Sequence, residues 1–302
     1  MKLRIILKKR IDNRERVLFS FRQFFLTMNK SKLSKLGAVL AAGAIPAVNA
    51  LAGVFVITDD ACPVARGDLE FHVNWESVVA TNHARAISTA PGLEFAYGAA
   101  ETLEIGISLD FGHDHISGDY ARRTGEKRTS DFNFTGISLG LKNQILDPED
   151  ANNPFGLAFV GGFAWGWADA SQNSARDVTF ELGLNFQKNL LDGDLILAFT
   201  PGVAFTSVKG DPAEGSTDST FDSTEYSLAA GASYHIGGGF RLGIEGVYAL
   251  SYDANGFVED QFYAGPNFCY EAEKWWIAVT VAPRLFTSAD DMTVAAQFGY
   301  AF

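Results

Sequence analysis

The chain has little that would let a soluble fold explain it. Among its 302 residues there are only two cysteines, Cys62 and Cys269, so no disulfide framework holds it together and a single intramolecular bridge is all the sequence can offer. Long apolar runs are missing as well: beyond Gly53 no stretch approaches the roughly 20 apolar residues of a helical span, so any membrane crossing has to be made by strands. Basic residues are scarce and unevenly placed. Residues 1–52 hold 11 of the 24 Lys+Arg but only 2 of the 36 Asp+Glu, leaving 13 cationic against 34 anionic residues after them, a net charge of −21. So acidic a body excludes nucleic-acid binding through a basic face, and no nucleic-acid motif is present.

What is present begins with a targeting pattern. Lys30, Lys32 and Lys35 precede an apolar run from Leu36 to Val48 that closes on Ala50-Leu51-Ala52. The run is too short to span a bilayer, and its small closing residues suit signal-peptidase cleavage before Gly53. Residues 28–52 therefore read as a cleaved signal peptide, and residues 1–27, with Arg14, Glu15 and Arg16 inside their apolar stretches, as upstream sequence or an extended n-region.

After residue 66 the dominant signal is a period of two. Leu69, Phe71, Val73 and Trp75 alternate with Glu70, His72, Asn74 and Glu76; Leu103, Ile105, Ile107, Leu109 and Phe111 alternate with Glu104, Gly106, Ser108 and Asp110. Phe155 through Trp167 sets aromatic and aliphatic residues on one face, with Gly156, Ala158, Gly162, Ala164 and Gly166 on the other. Between Phe134 and Ile137 the parity switches, which predicts a bulge near Gly136. Pro201, inside a strand, costs a ladder bond. Gly237-Gly238-Gly239 reads as a hairpin turn that needs positive φ.

Counting in this way gives about twelve strands, the last running from Val294 to Phe302, after a strand from Trp275 to Leu285. Short links at Ala99–Glu101, Leu191–Asp194, Gly237–Gly239 and Glu271–Lys274 alternate with longer polar ones, with Asn143–Asn153 as a long exception among the short set. The pattern predicts an all-β fold: one antiparallel transmembrane β-barrel over residues 67–302, in the cell outer membrane, with lipid against its apolar rows. Phe298, Tyr300 and Phe302 alternate up to the last residue and read as a C-terminal signal to the barrel-assembly machinery.

The first residues of the processed chain carry a resemblance. Ile57-Thr58-Asp59-Asp60-Ala61 followed by Arg66-Gly67-Asp68-Leu69-Glu70-Phe71 resembles the family labelled MetA-pathway of phenol degradation, a group of transporter-like outer-membrane barrels. The resemblance implies passage of aromatic or other small apolar compounds and brings no catalytic residues with it. Cys62-Pro63 and the length of the Ser207–Ser223 loop depart from the family pattern.

If the apolar rows face lipid, the lumen receives Glu70, His72, Glu76, Glu94, Glu104, Asp110, Glu181, Glu225, His235, Arg241, Glu245 and Arg284. That interior favours cations or neutral solutes over anions. Alternatively, the carboxylates pair with Lys142, Arg241 and Arg284 and fill a narrow barrel. Residues 53–66, with Val54, Phe55, Val56 and Ile57, are either a free periplasmic segment or a lumen plug in which Asp59 and Asp60 find basic partners. Cys62 and Cys269 are a candidate disulfide at the barrel mouth.

Other chemistry is poorly supported. His115 and Ser117 share a strand face as lipid-cleaving barrels require, but Gly118 follows the serine and no orienting acid is fixed. His113 and His115 with Asp110 and Asp114 read as solvated loop charges before they read as a metal site. The expectation is therefore a channel for small solutes, with no catalytic residue, metal or cofactor and with oligomeric state open. The rivals are a structural or surface-interaction barrel with a closed lumen and, more remotely, an outer-membrane lipid esterase.

Overall fold

The computed structural model describes residues 54–80, 86–116, 130–167, 176–209, 220–253, 256–285 and 291–302. The expected upstream region and signal peptide lie outside the described residues, as do Ser117 and Gly118. Twelve strands follow in order. β1 (Leu69–Ala80), β2 (Ala86–Ala100), β3 (Leu103–Ile116), β4 (Ser130–Leu146), β5 (Gly156–Trp167) and β6 (Arg176–Leu190) make the first half. β7 (Leu195–Lys209), β8 (Thr220–Gly237), β9 (Phe240–Asp253), β10 (Gly256–Glu271), β11 (Trp275–Pro283) and β12 (Asp291–Ala301) make the second.

Every strand pairs antiparallel with its sequence neighbours, and β1 pairs with β12 from Glu70↔Ala301 to Ala80↔Asp291, so the sheet is a closed barrel. Closure leaves no sheet edge, which is what lets a strand protein stand in hydrocarbon with its backbone groups satisfied. The alternation decides which face is which. Trp75, Phe95, Leu139 and Ile244 are 50%, 43%, 51% and 59% exposed on the outer surface, whereas Ala96, Ala158, Ala278, Ser233 and Thr280 on the opposite parity are wholly buried. The exterior is thus an apolar, aromatic-rich belt and the interior is small and polar, an inversion of a soluble core that only a lipid surround stabilises.

Local sequence explains the irregularities. Asp110 pairs with Gly136 and Phe111 with Phe134, so Thr135 is the extra residue of a bulge that reverses the parity of β4. Opposite Pro201 the β6–β7 pairing breaks between Gly183↔Gly202 and Phe186↔Phe199, where the proline has no N–H to give. Gly237, Gly238 and Gly239 have φ of 113°, 63° and 82°, so the β8–β9 turn is closed to residues with a Cβ.

Two boundaries differ from the sequence reading. β4 continues to Leu146, and the long link is residues 147–155, folded on itself by Asp147 and Asp150: Asp147 Oδ1 accepts from the Glu149 N–H at 2.8 Å and Asp150 Oδ1 from the Asn152 N–H at 2.9 Å. These side-chain acceptors turn a long connection into a compact one. β11 ends at Pro283, and Leu285 lies beyond it, its N–H bonded to the Phe262 carbonyl.

Candidate functional site

The short turns gather at the end of the barrel where β1 begins and β12 ends. Of the residues expected in the lumen, His72, Glu94, Glu104, Glu181, Arg241 and Glu245 are buried, while Glu70, Glu76, Asp110, Glu225, His235 and Arg284 are partly exposed. The cations are not spread evenly. At the turn end Arg241 donates to the Gly193 and Asp194 carbonyls at 3.0 and 3.1 Å, and His235 Nδ1 lies 3.2 Å from Asp194. Towards the loop end Arg284 pairs with Glu259, donates to the Asp260 carbonyl and stands 5.9 Å over the Tyr263 ring. His72 sits between two carboxylates, 2.9 Å from Glu70 and 3.8 Å from Glu94.

Between these mouths the N-terminal segment, residues 54–66, runs across the inside of the barrel. It leaves the wall beside β2, where the Gly67 N–H donates to the Gly98 carbonyl at 2.8 Å and a Cβ on Gly98 would collide with the Ala65 carbonyl. The Val64 N–H donates to Glu104 on β3 at 2.7 Å, and the Ala61 N–H to Gln187 on β6 at 3.0 Å. Asn185 donates to the Asp60 carbonyl at 2.9 Å and also to the Asp59 carboxylate; Gln144 donates to the Ala61 carbonyl at 3.3 Å. Lys142 on β4, wholly buried, places its Nζ 3.0 Å from Asp59, 3.2 Å from Asp60 and 3.3 Å from the Cys62 carbonyl.

The far end of the segment is held by one carboxylate. Glu245 on β9 accepts from the backbone N–H of Val56, Ile57 and Thr58, at 2.7 Å for Ile57 and 2.8 Å for Thr58. Its Oε1 also takes Asn267 and Thr280, each at 2.6 Å. Three successive N–H groups converging on an anion is the geometry of a backbone nest, here with the nest on the N-terminal segment and the anion on the wall. Bonds to a charged acceptor are worth about 1.5–3 kcal/mol each. Phe55, 2% exposed, packs its ring over Gly231 of β8, where any Cβ would strike it.

Burial raises the carboxyls of Asp59 and Asp60 above the ordinary aspartate range, and the Lys142 ammonium opposes that rise. Burial likewise pushes the Cys62 thiol up to about 12, so it is not ionised at neutral pH. The expected bond between the cysteines is not made. Both thiols are free: Cys62 Sγ lies 4.0 Å from Gln187 on β6, whereas Cys269 is buried on β10 opposite Arg241 and Ala278. Cys62 thus sits on the segment beside β6, while Cys269 faces inward from β10.

Above this layer the wall changes character. Gly106, Gly140 and Gly162 are cross-strand partners in a row on β3, β4 and β5, and Glu181 on β6 continues it. The next rows are Ser108, Ser138, Ala164 and Thr179, then Asp110, Gly136, Gly166 and Asp177. Small residues on three strands leave room, and the acids lean into it.

Sequence reasoning missed most of the residues that hold the segment. Lys142 was weighed only as a partner for wall carboxylates, and Asn185, Gln187, Gln144, Asn267 and Thr280 were not singled out. A usable signal existed: Asn185 and Gln187 alternate with the outward Leu184 and Phe186, and both are buried, so their amides need partners inside the barrel. The grip of Asp110 and His113 on a metal is not formed, because β3 sends them to opposite faces and the His113 ring lies 6.4 Å from exposed Phe132. Among the described residues no group of three potential ligands converges on a metal position.

Residues 52–293 match the family described as Family of unknown function (DUF6662). The chain belongs to DUF6662. No curated protein matches its sequence. Among solved structures this DUF6662 barrel is similar to the COG4313 outer membrane channel from Pseudomonas putida F1, at 12% identity over 80% of this chain and 98% of that one, with a TM-score of 0.58. It is also similar to the beta domain of the Bordetella autotransporter BrkA, at 9% identity over 78% and 100% of the two chains with a TM-score of 0.51. The translocator domain of the autotransporter NalP from Neisseria meningitidis follows at 11% identity, 79% and 90% coverage and a TM-score of 0.50. At such identities the likeness carries the fold alone: DUF6662 is built as an outer-membrane type of β-barrel.

Proposed function

We propose that this DUF6662 protein is an outer-membrane channel for small solutes, closed at rest by its own N-terminal segment. The observation that carries this reading is the way Glu245 and Lys142 hold residues 56–60. A lumen filled for purely structural reasons would be expected to use apolar packing, as protein cores do. Here the apolar side chains of the segment that are well buried are Phe55, Ala61 and Val64, and the rest of the attachment is polar and charge-assisted. Such contacts can be exchanged for bonds to water, as apolar packing cannot, so the segment is held by bonds for which solvent offers replacements. The description of the Pseudomonas putida neighbour as a channel supports the same reading. The resemblance of residues 57–71 to the MetA-pathway family supports aromatic or small apolar compounds as the solutes.

A second reading has one observation in its favour. The segment bonds to β2, β3, β4, β6, β7 and β9 together, which is a large investment for something that must move. Under it the barrel is a shut scaffold whose outer loops meet other molecules. Planar-bilayer conductance and liposome swelling with neutral, anionic, cationic and aromatic solutes separate the two, using the full chain and a variant lacking Val54–Ile57. A channel closed by the segment conducts more after the deletion. Deletion without effect on conductance removes the plug, and two silent proteins remove the channel.

A further inference from the structure

Glu181 is the anomaly of the upper lumen. Its side chain is 94% buried by the 6% exposure of the residue, and its Oε1 is shut from solvent with no hydrogen-bond partner among the described residues. The carboxylate does not point at a donor. It lies back over the glycine row, with Oε2 3.2 Å from where a Cβ on Gly162 would stand. From the next row on β2, where it pairs with Ser108, Glu94 leans over Gly106, Oε1 2.9 Å from the corresponding position. Between them a Cβ on Gly140 would meet nothing within 4 Å. Gly106 and Gly162 are two strand spacings apart, about 10 Å, so two acids face each other across an open floor.

The charges acting on Glu181 are of one sign, whereas Glu94 also has His72 beside it. Glu181 feels Glu225 and Asp110, and Asp110 feels Glu94. Glu225 takes a hydroxyl from Ser251 at 3.1 Å, and Glu94 takes the amide of Asn74 at 3.2 Å with His72 at 3.8 Å. Lys142, the cation nearest along β4 to Gly140, points at Asp59 and Asp60 in the layer below. On β6 itself Glu181 stands four residues beyond Asn185, about 13 Å along the strand from the segment's attachment.

We propose that Glu181, with Glu94, Asp110 and Glu225 about it and Gly106, Gly140 and Gly162 as its floor, binds a small cation inside the barrel, above the N-terminal segment. The inference deepens the channel reading and rests on it for the route by which the cation arrives. A buried carboxylate with no donor is costly, and an entering positive charge removes that cost. Because no three ligands converge closely among the described residues, the guest keeps part of its own shell: a hydrated divalent ion or a primary ammonium group. The shared chemistry is a compact positive charge with several donors or an inner water layer to present to oxygen.

The test is titration calorimetry on the full chain folded in detergent, with calcium chloride and 1,4-diaminobutane as separate probes and sodium acetate as the anionic control. Saturable binding of either cation, weakened at least tenfold by Glu181→Gln, is expected. Saturation by calcium alone assigns an inorganic cation, by the diamine alone an ammonium solute, and by both a site that reads charge only; all three support the site. Gly140→Lys, which puts an ammonium on the empty part of the floor, should abolish binding of both probes while keeping the heat-modifiable gel shift of a folded barrel. No saturable binding, or binding that both variants leave unchanged, overturns the proposal. Binding without conductance in either the full chain or the Val54–Ile57 deletion would instead end the channel reading and leave the site standing.

Discussion

The Lys142 ammonium lies 3.0 Å from the Asp59 carboxylate, joining β4, four residues before its end, to a residue ten positions ahead of the first strand. Both partners are buried, and Asp60 shares the same ammonium. Everything said about the lumen turns on how firmly this link and the Glu245 link hold together.

Replacing Lys142 by methionine keeps the bulk and removes the charge. Asp59 and Asp60 are then left in the interior without their cation, at a cost of about 3–5 kcal/mol. The segment is expected to leave its position, so limited proteolysis of folded protein should cut within residues 54–66 at a rate at least a hundredfold higher. Protection equal to that of the parent protein would place the main attachment elsewhere.

Glu245→Gln tests the other anchor. The amide oxygen still accepts, but the charge is gone and an NH2 now faces donors from the segment, Asn267 and Thr280. A loss of about 2 kcal/mol is expected, read as roughly thirtyfold faster hydrogen exchange at the amides of Val56, Ile57 and Thr58. Amides of the strands facing lipid should not change.

Gly231→Leu separates the segment from the wall by bulk alone. A Cβ at Gly231 would stand 2.6 Å from the Phe55 ring, so Phe55 has to move out. Conductance should rise as it does on deleting Val54–Ile57. Because Gly231 pairs with Ala198 and Glu245 through backbone bonds that leucine preserves, the gel shift of the folded barrel should persist. A barrel that no longer folds would show the glycine to be needed by the wall and not by the segment.

The cysteines give a chemical test of the same arrangement. Unfolding without reductant should release two alkylatable thiols per chain, from Cys62 and Cys269, while the folded protein reacts slowly at both because each is shielded and Cys62 is not ionised. One disulfide in place of two thiols would contradict the placement of Cys62 beside Gln187 on β6, away from Cys269 on β10.

The barrel was legible in the sequence because strand alternation is a local signal. Phe180, Leu182, Leu184 and Phe186 announce their face without reference to any other strand, and the parity switch between Phe134 and Ile137 marked the bulge that Thr135 makes. The triple glycine likewise announced its turn. What alternation does not encode is height. It puts Glu245 and Lys142 inside, yet nothing in either neighbourhood tells that they stand at the level reached by residues 56–60, because that depends on the stagger accumulated over several strands. Separations of 187 positions for Thr58 and Glu245, and 83 for Asp59 and Lys142, lie beyond any periodicity argument. For the same reason the candidate bond between Cys62 and Cys269 is undecidable from the sequence: two cysteines allow one pairing, but nothing local gives their distance.

The bridge of Arg66 to Gly98, three residues before β1, bears on the proposal that the segment lets go of the lumen. It fastens the segment to the barrel beside its own binding groove, so a tip that lets go is restrained within the reach of thirteen residues, about 44 Å. A leash of that length keeps the freed tip at an effective concentration in the millimolar range. Any opening is therefore self-resetting, and a competitor offered from solution below that concentration will lose the groove back to the protein's own chain.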